Sequence, residues 1–175
     1  RMALKGKIAF ISQSGAICAS ILDWAKDQNV GFSHFVSIGS MIDIGFAELI
    51  DYFGMDPMTS SILIYMESIT NARRFMSAAR AFSRAKPIVI LKSGKSEQGT
   101  QAAMSHTGSL AGNDAVFEAA FKRAGCVRVD TICQLFDCAL SLSMQPRPKG
   151  NRLAIVTNAG GPGVLATDSL TAKGG

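Results

Sequence analysis

Aromatic residues and charge are both scarce in this chain. Phe, Tyr and Trp make up 7% of its 175 residues and Asp, Glu, Lys and Arg 18%, against 47% apolar residues. A core with so few rings must rest on Ile, Val, Leu and Ala. Together with 17 glycines, that profile suits a parallel α/β sheet whose strands are covered on both faces. No apolar stretch approaches the ~18 residues of a membrane span, and Arg1-Met2-Ala3-Leu4-Lys5 lacks the apolar region of a signal peptide. It reads as the start of a segment cut from a longer chain. Basic runs with interleaved aromatics are missing as well. The net charge of +5 is scattered over single or paired Lys and Arg, which a solvated surface explains better than nucleic-acid binding. The four cysteines, Cys18, Cys126, Cys133 and Cys138, form no C-x-x-C pair and have no histidine placed to complete a zinc pattern, so no metal site is expected. Among apolar neighbours they read as reduced core thiols of a cytoplasmic protein.

What is present is an alternation of strand and helix signals. Lys7 to Ile11 is an apolar run stopped by Ser12-Gln13-Ser14-Gly15, after which Ile17, Ile21, Leu22 and Ala25 recur at helical spacing. Phe32 to Ile38 reads as a strand and Phe46 to Phe53 as a helix. Ser61 to Met66 is continuously apolar, as a central parallel strand should be. Asn71 is placed to cap a helix with Phe75, Ala78, Ala79 and Phe82 inward. Ile88 to Leu91 is a fourth strand, ended by Lys92. Ser93 to Gly112 then carries four glycines and little periodicity, and loops of that length are usually functional or disordered. Ala115 to Ala124 resumes helix with Gly125 as its stop. Val127 to Val129 is a short strand, and Thr131-Ile132-Cys133-Gln134 fits a capping box opening a helix with Leu135, Phe136 and Leu142 inward. After a Pro- and Lys-bearing linker, Leu153 to Thr157 reads as another strand, followed by Asn158-Ala159-Gly160-Gly161-Pro162-Gly163 and a helix start. The predicted architecture is a flavodoxin-like, doubly wound parallel sheet over residues 1–145, a linker over 146–151, and the first βα unit of a second such domain over 152–175.

Three turns could hold an anion. Ser12-Gln13-Ser14-Gly15 and Asn158-Ala159-Gly160-Gly161 each leave backbone N–H groups at a helix start, where the dipole favours negative charge. Neither matches G-x-G-x-x-G or a P-loop, and α/β folds need small residues at tight turns in any case. The third is the Ser93–Gly112 loop, which holds one of only two histidines. His34, inside the apolar run Phe32 to Ile38, reads as a partly buried strand residue. His106 instead stands among small hydroxyl residues and glycine, either as a surface histidine or as a nucleophile. A neutral imidazole can take a phosphoryl group as a phosphoramidate, and the added charge suits helix N-termini. The other ring nitrogen then needs an acceptor. Glu67, directly after the third strand, lies at the sheet edge where open α/β folds build their sites; as a solvated loop carboxylate it would serve no such purpose.

Five segments carry a family resemblance in order and spacing: Ile11-Ser12-Gln13-Ser14-Gly15-Ala16, Tyr65-Met66-Glu67-Ser68-Ile69, Lys86-Pro87-Ile88-Val89, Ser105-His106-Thr107-Gly108-Ser109-Leu110-Ala111-Gly112 and Thr157-Asn158-Ala159-Gly160-Gly161-Pro162-Gly163. Together they resemble the NDP-forming acyl-CoA synthetases, relatives of succinyl-CoA synthetase, over essentially the whole chain. The resemblance implies an acid-thiol ligase that interconverts acyl-CoA, ADP and phosphate with carboxylic acid, CoA and ATP. It implies His106 as the phosphohistidine and Glu67 as the glutamate that hydrogen-bonds it. Ser14, Gly15 and Ala16 fall at the first phosphate-holding helix start, Gly108 and Ser109 in the histidine loop, and Asn158, Gly160 and Gly161 at the second helix start.

The same resemblance implies CoA, ATP or ADP and Mg²⁺ as ligands of the full enzyme, none held tightly by these residues alone. It implies a CoA-binding Rossmann domain and an ATP-grasp domain or subunit as partners, in an enzyme expected to be oligomeric. Residues 1–175 are therefore expected to lack turnover by themselves, and His106 is expected to move between its phosphoryl donor and acceptor. One competing reading is the regulatory, acyl-CoA-sensing region of a GNAT-type lysine acetyltransferase; the presence of His106 favours the ligase. A flavin-binding module fares worse, since no loop supplies the aromatic pair a flavin would want.

Overall fold

The computed structural model describes residues 2–96, 98–101, 113–144, 150 and 152–174. By internal packing the chain divides into two compact units, Arg1–Gln145 and Pro146–Gly175.

The first unit alternates strand and helix from β1 (Leu4–Ser12), α1 (Gly15–Asp27), β2 (Gly31–Ser37) and α2 (Phe46–Met55) to β3 (Ser61–Met66) and α3 (Ala72–Phe82). It continues through β4 (Ile88–Lys92), α4 (Asp114–Ala124) and β5 (Val127–Val129) to α5 (Ile132–Met144). All strand pairs are parallel, in the order β2-β1-β3-β4-β5. This is the doubly wound flavodoxin-like order, in which the sequence moves outward from β1 to one edge and then back across to the other. The reversal lies between β1 and β3, so the crevice at their C-terminal ends is where the topology places a ligand.

Local chemistry sets the element ends. Asn71 Oδ1 accepts from the Arg74 N–H at 3.0 Å, satisfying one of the free donors of α3. Gly125 ends α4 in the left-handed region at φ 72°, which a residue without Cβ adopts freely. Near their starts β1 and β2 run unusually close. A Cβ on Gly6 would lie 2.2 Å from the Gly31 carbonyl carbon, and the β1–β2 register shifts just beyond, between Lys5 and Ile8. Only two facing glycines let these backbones approach.

Two apolar layers enclose the sheet. One face packs Ile62, Ile64, Ile88 and Ile90 under α2, α3 and α4 through Phe46, Ile50, Phe53, Phe75 and Phe121. The other packs Phe10, Leu63 and Val89 under α1 and α5 through Ile21, Ala25, Leu135 and Phe136. Strands β3 and β4 are buried along nearly their whole length, as expected of central parallel strands.

Several expectations are corrected. Leu142 is 38% exposed, and Ala139 is the buried residue that follows Leu135 and Phe136. The end of α5 lies at the lower rim of the sheet, where Leu140 lines a small cavity with Lys5, Gly31 and Ser60. The capping box at Thr131 is half made. Thr131 Oγ1 accepts from the Gln134 N–H at 3.1 Å, but Gln134 Oε1 accepts from Asp130 rather than from the cap residue. Cys133 is exposed, while Cys18 is buried; all four thiols are free.

In the second unit, residues 152–157 form no strand and a single helix, α6 (Gly160–Ala172), follows. A strand exists only by pairing, and within this unit the described residues hold no second strand. His34 lies in β2, partly buried and 3.5 Å from Asp56. Among the described residues no helix is long and apolar enough to cross a membrane.

Candidate functional site

The crevice is built from three strand ends: Ser12 of β1, Met66 of β3 and Lys92 of β4. Beyond β1 the chain turns sharply into α1. The Ser12 hydroxyl accepts from the Ser14 N–H at 3.0 Å and donates to the Ser14 carbonyl at 2.9 Å. Ser14 is the N-cap, and its side chain accepts from the Ile17 N–H at 3.3 Å. With the third helical amide capped, those of Gly15 and Ala16 have no acceptor within the helix. They are a pair of aligned donors at the positive end of the helix dipole.

The start of α6 is put together in the same way from different residues. Thr157 Oγ1 accepts from the Ala159 N–H at 3.1 Å and donates to the Ala159 carbonyl at 3.0 Å, matching the role of Ser12. The cap residue is Ala159, which offers no side-chain acceptor. The third helical position is Pro162, which has no N–H to be capped. The missing acceptor and the missing donor cancel, leaving the Gly160 and Gly161 amides free as at α1. Asn158, just before the cap residue, is exposed.

Glu67 follows β3 and is 9% exposed. Its position is set by a residue that sequence reasoning passed over. Gln13 Oε1 accepts from the backbone N–H of both Glu67 and Ser68, at 2.6 and 3.0 Å, and Gln13 Nε2 donates to the Ser68 hydroxyl at 3.3 Å. The Gln13 N–H donates to the Tyr65 carbonyl at 3.3 Å. One side chain thus ties the α1 turn to the turn that carries Glu67. Its only sequence signal was a long amide among small residues in the turn. Gln13→Leu would leave both turn amides without their acceptor, a loss of about 1–3 kcal/mol. Urea unfolding of the purified protein should show it, and an unchanged midpoint would mean that water replaces Gln13.

The Tyr65 phenol interacts with both the Ser93 hydroxyl and the Glu67 carboxylate, and its pKa is raised above the ordinary tyrosine value. Burial is the main cause, with Glu67 adding to it and Ser93 opposing. Ser93, the first residue after β4, donates its N–H to the Met66 carbonyl at 2.9 Å. The root of the long loop is thereby fastened beside Glu67. Within that loop, residues 98–101 are helical. Thr100 Oγ1 bonds the Gly94 carbonyl at 3.0 Å, and the Gly99 N–H bonds Ser96 Oγ at 3.0 Å. His106, Gly108 and Ser109 lie outside the described residues. Among the predicted site residues that are described, the first unit gathers Ser14, Gly15, Ala16 and Glu67 at one sheet edge; Asn158, Gly160 and Gly161 belong to the second unit. Among the described residues no group of three His, Cys, Asp or Glu side chains is placed to hold a metal ion.

Known proteins extend this picture. The family model for the succinyl-CoA ligase like flavodoxin domain matches residues 5–142. The alpha subunit of an ADP-forming acetate–CoA ligase I from Pyrococcus furiosus is 47% identical over 171 residues, which are 98% of this chain and 37% of that subunit. A 4-hydroxybutyrate–CoA ligase [ADP-forming] from Nitrosopumilus maritimus is 41% identical over 95% of this chain and 24% of its own length. Among solved structures, a dinucleotide forming acetyl-coenzyme A synthetase 1 from Ca. Korarchaeum cryptofilum, in complex with phosphate and ADP, superposes with a TM-score of 0.93 at 41% identity. That match covers 99% of this chain and 38% of the solved one. The chain thus spans less than two fifths of the length of these relatives.

Proposed function

Because the chain belongs to the succinyl-CoA ligase-like flavodoxin domain family, we propose that it is the phosphoryl-transfer part of an ADP-forming acyl-CoA synthetase. In the acyl-CoA-consuming direction, a phosphate oxygen attacks the thioester carbonyl, giving an acyl phosphate and releasing CoA as its thiol. An imidazole nitrogen of His106 then attacks phosphorus, the bond to the acyl oxygen breaks, and the carboxylic acid leaves. Finally the phosphoryl group passes from His106 to the terminal phosphate oxygen of ADP, giving ATP and regenerating the imidazole.

Each residue of the site has one task in this scheme. Glu67 accepts the N–H of the second imidazole nitrogen, fixing the tautomer and stabilising positive charge on the ring as the P–N bond forms. The Gly15 and Ala16 amides, released by the Ser14 cap, bind the phosphate to be transferred, with Gly108 and Ser109 beside His106. Gly160 and Gly161, with Asn158, form the second phosphate-holding helix start. CoA, ADP and Mg²⁺ are held by other parts of the enzyme, a CoA-binding domain and an ATP-grasp domain or subunit, and the relatives are more than twice as long as this chain. Four free thiols suit a cytoplasmic enzyme.

The observation that carries this reading is the Gln13 bridge. It ties the turn that carries a buried carboxylate to a helix start with two uncapped amides, which supports a role beside a histidine that alternates between neutral and phosphorylated states. The test is to incubate the full-length enzyme with radiolabelled ATP and Mg²⁺ and assay for acid-labile, base-stable label. Wild type should take up label and His106→Ala none; an unlabelled wild type, or a labelled variant, ends the proposal.

A further inference from the structure

Lys92, the last residue of β4, is only 2% exposed. Long cationic side chains normally carry their head groups out to water, and burial without a close partner costs desolvation energy. Here the ammonium donates to the Ser93 carbonyl and lies 4.7 Å from the centre of the Phe117 ring on α4. No carboxylate among the described residues lies within ion-pairing distance of it. Asp114, in the first turn of α4, and Glu118, next to Phe117, are both taken by Arg128, at 2.5 and 3.0 Å.

The placement gives this cost a purpose. Lys92 grips the chain where it leaves the sheet, at Ser93, and rests on the first turns of α4, where it returns. Ser93 is also the node that bonds the Met66 carbonyl and the Tyr65 phenol, which in turn bonds Glu67. A shift of Ser93 therefore moves the surroundings of the carboxylate.

We propose that Lys92 is a positioning residue for phosphoryl transfer, its buried ammonium locking Ser93 against α4 and so holding the Tyr65–Glu67 pair in register with the histidine that Glu67 orients. The proposal rests on the role given to Glu67 above. Burial pushes the Lys92 amine below the ordinary lysine value, with Asp114 and Glu67 opposing that shift and Arg128 and Lys95 adding to it. Between the lowered value and 10.5 the unfolded chain binds more protons than the folded one, so stability rises with pH across that window. Below it the cost of the buried charge is fully present.

Lys92→Met, of similar length and uncharged, separates positioning from simple structure. In the full-length enzyme it should melt at the same temperature as wild type at neutral pH, or higher, because a buried charge has been removed. The initial rate of acid-labile labelling from ATP and Mg²⁺ should nevertheless fall by about 10- to 100-fold, the scale of a small misplacement at a reacting centre. Wild-type labelling should also decline as pH rises through the Lys92 titration, a limb that the variant lacks. A wild type that takes no label overturns the phosphohistidine reading, and this inference with it. Labelling of Lys92→Met at the wild-type rate, with the same alkaline limb, overturns the role of Lys92 alone. So does a variant that fails to fold, since Lys92 would then serve structure rather than position.

Discussion

Replacing Glu67 with glutamine in the full-length enzyme is expected to slow phosphorylation of His106 by about 10²- to 10⁴-fold, the range seen when a base or the group that orients it is removed. Glutamine keeps the size of the side chain, and the Gln13 bridge holds the backbone amides of residues 67 and 68, so the turn should keep its form. The negative charge that favours the correct tautomer and the positive ring is what goes. Stability should change by no more than about 1 kcal/mol, as for a substitution that opens no cavity. A second readout comes from Tyr65, whose pKa is raised by burial and further by Glu67. In Glu67→Gln the phenol should titrate at lower pH, though still above an exposed tyrosine, as followed by ultraviolet absorbance. Unchanged labelling together with an unchanged tyrosine titration would reduce Glu67 to a carboxylate without a role.

Phe10→Ala should cost the most stability, about 3–5 kcal/mol. Phe10 is fully buried in β1, and its ring lies 5.0 Å from Phe35, 6.4 Å from Phe32 and 6.3 Å from Phe136, centre to centre. These rings join β1 to β2 and to α5, so the surroundings cannot collapse into the space left by one of them. The melting temperature should fall by roughly 10 °C for a domain of this size. The effect should reach the site as well, since Ser12 ends the same strand two residues further along and Gln13 follows it directly. A loss below about 1 kcal/mol would mean that the cluster repacks around the vacancy.

Local patterns in the sequence were enough for most of the fold. The apolar runs at Ile8, Ile62 and Ile88, the spacing of Ile17, Ile21 and Ala25, and the stop at Gly125 each encode their element through near neighbours. They failed where a partner was needed. Leu153 to Thr157 has the composition of a strand, but composition does not supply a second strand to bond with. Leu142 fits a helical stripe, yet burial along that stripe lasts only as far as the sheet beneath it.

The candidate site divides along the same line. Glu67 and the two glycine-rich helix starts were legible because each is a residue type at the end of an element, which periodicity locates. Gln13 and Lys92 were not. A glutamine in a turn and a lysine closing a strand are ordinary until the parallel pairing of β1 with β3 brings residue 13 beside residues 67 and 68, and that of β3 with β4 sets Lys92 opposite Met66. The layered α/β architecture and the helix starts at Gly15 and Gly160 could be read from local residue patterns, because helix caps and hydrophobic periods are short-range chemistry. The tertiary structure alone decided which side chains hold the carboxylate in place, because hydrogen bonds and desolvation depend on what lies alongside in space, however far apart in the chain.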